Sequence, residues 1–118
     1  MKKDIKKMIE IAEKLDWSVQ IDDNEFTFEK YSPAGQDFNM TITADNLEEA
    51  IEKIQERCDN FDCSEETYVW LDNTGHGTNG APYDMKDLCE DMESCLEMME
   101  ELRDELEKIN WKRLNIYC

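Results

Sequence analysis

At 118 residues the chain has the length of one domain, enough for a core without disulfide or metal staples. Thirty acids against thirteen bases leave a net charge of −17, which disfavours approach to nucleic acid or an anionic membrane and makes a basic partner the natural complement. No run approaches the roughly 20 apolar residues of a membrane helix, residues 1–10 lack the apolar segment of a secretory signal, and five irregularly spaced cysteines form no disulfide framework, so reduced thiols in a cytoplasm are expected.

Residues 4–15 place Ile5, Met8, Ile9, Ala12 and Leu15 on one helical face, with Lys3, Lys6, Lys7 and Lys14 elsewhere. Three alternating runs follow and predict strands: Trp17, Val19 and Ile21; Phe26 and Phe28; Phe38, Met40 and Ile42. Asp22–Asn24 and Ser32–Gly35 are turn sequences, Pro33 presetting φ and Gly35 free to take positive φ, so the strands form two consecutive antiparallel hairpins. Asp45, with Glu48 three residues on, predicts the cap of a second helix whose buried stripe is Leu47, Ala50, Ile51, Ile54 and Cys58. Residues 66–71, ETYVWL, are apolar in both alternating sets and predict a fourth strand covered on both sides.

Residues 84–109 predict a long helix with two unlike seams. Met85, Leu88, Met92, Cys95, Met99, Leu102, Leu106 and Ile109 form an apolar heptad, and Glu90, Glu93, Glu97, Glu100, Asp104 and Glu107 repeat with the same alternation as a carboxylate column on the outer face. At about 39 Å this helix exceeds the core of such a domain, so part of its heptad overhangs and offers itself to a second copy. The tail WKRLNIYC turns basic and has no assigned place. The expected fold is a single α+β domain over residues 1–118, a two-layer sandwich in the order α-β-β-β-α-β-α.

The long helix carries eleven acids and three bases. That is one carboxylate per ~3.5 Å of axis, against ~3.4 Å per phosphate along one DNA strand. Five like-charged contacts along the column cost roughly 1–2.5 kcal/mol, which alternating Glu and Lys would avoid. Two readings compete for this column: a solvated face that only keeps the helix soluble, and a site that receives a basic partner.

Gly75–Gly80 fits G-x-G-x-x-G but leads into Asp84 and Asp87, which would repel a pyrophosphate, and it follows hairpins instead of a βαβ unit. It is read as a loop, and no cofactor is expected. His76 is the sole histidine and no cysteine pair has C-x-x-C spacing, so no metal site is assigned. Asp59–Asp62 with Glu65 and Glu66 resembles a cation loop without the central glycine or terminal glutamate of an EF-hand. No Cys, His and acid are fixed together by spacing, so no catalytic residue is proposed. Lys2, Lys3, Lys6 and Lys7 form a small basic patch suited to pairing with the acidic helix, in the monomer or across a dimer.

Tyr31-Ser32-Pro33-Ala34-Gly35-Gln36-Asp37-Phe38, with the acidic helices that follow, resembles a family of small uncharacterised proteins of gut Firmicutes and their phages and mobile elements. In size, acidity and order of elements the chain is also similar to phage-encoded inhibitors of CRISPR nucleases and of restriction enzymes, which imitate DNA. That resemblance implies a non-enzymatic protein acting on a basic protein surface such as a nuclease's nucleic-acid channel, with no direct contact to nucleic acid or membrane. The alternative is a structural or adaptor protein that forms a homodimer through the Met-rich heptad.

Overall fold

A computed structural model of the protein describes residues 3–74 and 85–115. Their order is α1 (Lys3–Lys14), β1 (Ser18–Asp22), β2 (Glu25–Tyr31), β3 (Asp37–Thr43), α2 (Leu47–Asp59), α3 (Cys63–Thr74) and α4 (Met85–Asn115). The α+β class, the antiparallel sheet and the long last helix are as the sequence predicts. The fourth strand is not: residues 66–71 belong to α3.

The reason lies just upstream of that run. The Asp62 carboxylate accepts from the Glu65 backbone N–H at 3.1 Å, and the Asp62 carbonyl closes the first turn by accepting from Glu66 N–H at 2.9 Å. Asp62-Cys63-Ser64-Glu65 is thus a cap followed three residues later by glutamate, a helix start that outweighs a six-residue apolar run whose period is ambiguous. The segment resembling a cation loop is therefore the joint between two helices: Asn60 caps the end of α2 and Asp62 caps the start of α3.

The three strands pair in sequence order, β1 with β2 and β2 with β3. Register sets Val19, Phe28 and Met40 in one inward row and Ile21, Phe26 and Ile42 in the next. Phe26, Phe28, Met40 and Ile42 are buried, while Ile21, on the edge strand, stays 41% exposed. The inward side chains join Ile5, Met8 and Ala12 of α1, Leu47, Ile51 and Ile54 of α2, and Met99, Leu102 and Leu106 of α4 in one core. Full burial of side chains of this size stabilises by about 1.5–3 kcal/mol each. The opposite face of the sheet, led by Gln20, Glu25, Glu29, Asn39 and Thr41, is exposed.

Local chemistry fixes the joints. Alpha-1 ends in a Schellman motif: Trp17 N–H donates to the Ala12 carbonyl at 2.9 Å and Asp16 N–H to the Glu13 carbonyl at 3.0 Å, with Asp16 at φ 71°. The start of α2 is one residue later than the sequence predicts. Asn46, not Asp45, is its cap, the Asn46 side chain accepting from Glu49 N–H at 2.8 Å. A second free N–H of that helix, on Leu47, donates to the Asp4 carboxylate of α1 at 3.2 Å, so the two helices share a cap.

With 31 residues α4 is about 46 Å long. It dominates a molecule of 51 × 27 × 22 Å whose radius of gyration, 15.5 Å, exceeds the about 13.5 Å of a compact domain of this length. The basic stretch 111–115, unplaced by sequence, continues this helix.

Candidate functional site

The two seams of α4 point to different surroundings. Leu88, Met92, Cys95, Met99, Leu102 and Leu106 are all buried, with Met92 4% and Met99 1% exposed. Leu102 and Leu106 belong to the common core, and α3 packs along the same helix, with Cys63 and Glu66 close to Cys95. The heptad is thus covered by the chain's own elements from Leu88 to Leu106. The expectation that it overhangs to meet a second copy does not hold over that span, because α3, in place of the predicted strand, packs along it and the common core covers Met99, Leu102 and Leu106.

On the opposite side Glu90, Glu93, Glu97, Asp104 and Glu107 are exposed and Glu100 is half-buried. They span about 25 Å of helix axis. Glu97, Glu100, Glu101, Asp104 and Glu105 line an open trough of about 500 Å³, together with Arg103 and Lys108. Arg103 donates from Nε and Nη2 to the Asp104 carboxylate at 3.0 and 2.8 Å and from Nη1 to Gln55 Oε1 of α2 at 3.1 Å. Lys108 pairs with Glu105 at 2.7 Å. Among the described residues Asp104 is the one member of the column in an ion pair. Lys3, Lys6 and Lys7 are exposed on α1 and, among the described residues, form no ion pair with the column; Lys2, the remaining member of the basic patch, lies outside the described residues.

Asp91, on the same helix, had no separate role in the sequence and has one in the fold. It is 5% exposed and accepts three hydrogen bonds, from Ser32 Oγ at 2.6 Å, Ala34 N–H at 3.0 Å and Gln36 Nε2 at 2.6 Å. All three donors lie in the loop between β2 and β3. That loop closes on itself through Gly35 N–H to the Ser32 carbonyl at 2.8 Å and Gln36 N–H to Ser32 Oγ at 3.0 Å, with Gly35 at φ 86°. The polar residues of the Ser32–Gln36 motif are therefore a clasp on α4. The signal was present: Asp91 stands three residues after Leu88 and four before Cys95, beside the apolar seam and off the outward column.

Three of the thiols, Cys58, Cys63 and Cys95, are poor nucleophiles. Burial pushes the Cys95 thiol up to about 12, with Asp91, Cys63 and Glu66 adding to the effect. Burial likewise raises Cys58, partly opposed by Arg103, and raises Cys63, with Cys89 and Glu93 contributing. Among the described residues no group of three or more His, Cys, Asp or Glu side chains is placed to hold a metal ion, and no helix is long and apolar enough to cross a membrane. Gly75–Gly80, His76 and Asp84 lie outside the described residues. Comparison with protein-family models, curated proteins and solved structures finds no match.

Proposed function

We propose that this chain is a non-enzymatic acidic binding protein that occupies a Lys/Arg-lined site on a basic protein, with the outer face of α4 standing in for a run of phosphates. The observation that carries this reading is the column Glu90, Glu93, Glu97, Glu100, Asp104 and Glu107, five of whose members form no ion pair among the described residues. Neighbouring carboxylates on a helix repel by a few tenths of a kcal/mol each, so folding gains nothing from the arrangement. A Lys/Arg-lined groove would recover that cost on binding and would do so through counterion-sensitive electrostatics. The surface suited to a nuclease channel or another nucleic-acid site is the partner class this charge pattern favours.

The test is binding to partners captured from lysate and then purified, measured against salt for the wild type and for Glu93→Gln/Glu97→Gln/Glu100→Gln. Wild-type affinity should fall steeply with salt. The triple variant should lose binding while its fold stays intact or gains about 1 kcal/mol of stability. Binding that survives the three substitutions, or ignores salt, removes the proposal.

A further inference from the structure

We infer that β1 is the joining edge of a homodimer, in which two copies of the chain pair their first strands antiparallel and merge their sheets into one. This surface is separate from both seams of α4, and the inference does not depend on the reading of the acidic column.

The backbone of β1 presents an open edge. It is an outer strand of the sheet. Ala44 N–H donates to the Asn24 carbonyl and Ser32 N–H to the Gln36 carbonyl, which extends the β2–β3 ladder at both ends. Bonded pairs alternate along an antiparallel ladder, so the even-numbered residues of β2 face β3. The odd-numbered ones, Glu25, Thr27 and Glu29, face β1, where their partners are Asp22, Gln20 and Ser18. The N–H and C=O groups of Val19 and Ile21 therefore point away from β2, and none of them is hydrogen-bonded among the described residues. No proline, lysine or bulge blunts this strand.

The side chains are unfinished at the same place. Val19 is only half-buried, and Ile21 is the one inward-facing apolar residue of the sheet that is exposed. Ile21 also borders an open depression of about 180 Å³ lined by Ile5, Phe26 and Ala44. On the opposite edge strand, Met40 and Ile42 are buried.

Register and charge select a second copy as the occupant. Antiparallel pairing centred on Gln20 sets Val19 opposite the partner's Ile21, and Ile21 opposite the partner's Val19. Those are the residues with free backbone groups, so the two-fold pairing makes four ladder bonds and one continuous apolar row. Ser18 falls opposite the partner's Asp22, so no like charges are opposed. Residues 1–22 hold five lysines and five acids, which leaves the whole net charge of −17 in the rest of the chain. Joining through β1 thus brings together the neutral portions of two strongly acidic copies.

Two short strands make a small interface, so the dimer is weak and forms at high protein concentration. The experiment is sedimentation velocity of the full chain from about 1 μM to 1 mM, with amide hydrogen exchange followed by NMR near the upper end. The mass should rise from one chain toward two. The Val19 and Ile21 amides should exchange about two- to fivefold more slowly as the dimer forms, while the Gln20 amide, already bonded to β2, does not change. Added salt should strengthen association by screening like-charged copies, the opposite of its expected effect on binding through the α4 column. Ile21→Lys, at an exposed position, and Val19→Pro/Ile21→Pro, which removes only the outward N–H groups, should both stay monomeric at about 1 mM with the circular dichroism of the wild type. If the proline variant fails to fold, Ile21→Lys alone decides. A monomer at every concentration, a dimer whose Val19 and Ile21 amides exchange as in the monomer, or a dimer that persists in Ile21→Lys would overturn the inference.

Discussion

Ser32 and Asp91 stand 59 residues apart in the chain and meet at 2.6 Å, the serine hydroxyl donating to a carboxylate buried beneath the hairpin loop. With Ala34 N–H and Gln36 Nε2 on the same carboxylate, the loop between β2 and β3 is held by one side chain of α4. A buried charge is tolerable only when its lone pairs are met, and here the loop meets them with one hydroxyl, one amide side chain and one backbone N–H.

Asp91→Ala should therefore cost about 3–5 kcal/mol, because it strands three donors in the interior. Asp91→Asn keeps the shape but turns an NH₂ toward a donor, and should cost about 2 kcal/mol. Ser32→Ala removes both the hydroxyl donor and the acceptor of Gln36 N–H, and should cost about 1–2 kcal/mol. Urea unfolding followed by circular dichroism measures all three. A loss below about 1 kcal/mol in Asp91→Ala would show that the loop is held by something else.

The seam of α4 predicts a different failure. Met99 is 1% exposed inside the common core, and Met92 is 4% exposed farther along the same seam. Met99→Lys or Met92→Lys buries an unpaired ammonium and should destabilise the domain by more than about 3 kcal/mol. Light scattering and circular dichroism together separate the outcomes. Loss of helical signal at unchanged or aggregated mass is expected; a folded monomer derived from a wild-type dimer would restore the heptad as an interface.

Much of this architecture was legible from local pattern. The period-2 runs in β1 to β3, the turn residues around Gly35 and the 3–4 repeat of α4 each state their structure within a dozen residues, and the fold keeps them. The outward placement of the acidic column follows from the same repeat once the apolar seam is buried. What was not legible depended on competition or on distance. In ETYVWL an apolar alternation competed with the cap at Asp62, and the cap prevailed in a helix that packs along α4, with Cys63 and Glu66 close to Cys95. The clasp at Asp91 joins groups 55–59 residues apart. The position of Asp91 beside the apolar seam marks it as different from the column, but which groups meet its carboxylate stays hidden until the loop that covers it is placed.

Alkaline pH tests the buried thiol. The ordinary value for cysteine is 9.0, and burial lifts Cys95 to about 12 in the native protein. The unfolded chain thus loses this proton first as pH rises, while the native state must keep it. A thiol raised in this way leaves stability intact below about pH 9 and removes it between about pH 9 and 12, by up to about 1.4 kcal/mol per pH unit. Cys58 and Cys63, raised in the same direction, add to the slope. Unfolding free energies across that range should fall less steeply in Cys95→Ala than in the wild type, even though the variant starts lower by the lost packing. Identical slopes would assign the alkaline sensitivity to other groups.

The end of α1 offers the opposite prediction, a gain. Asp16 occupies the left-handed position of the Schellman motif at φ 71°, where glycine is the usual residue and a side chain is strained. Its charge also sits at the negative end of the helix dipole, which disfavours a carboxylate by about 0.3–1 kcal/mol. Against these stands the extra freedom that glycine gives the unfolded chain, worth about 0.4–1 kcal/mol. Strain and dipole together exceed that entropy, so Asp16→Gly should raise stability by about 0.5–1 kcal/mol, seen as a higher urea midpoint at unchanged slope. Asp16→Asn separates the two contributions: it keeps tolerance for the left-handed backbone and removes the charge, so it should recover the dipole part alone. A glycine variant less stable than the wild type would mean that the Asp16 side chain makes a favourable contribution larger than its strain.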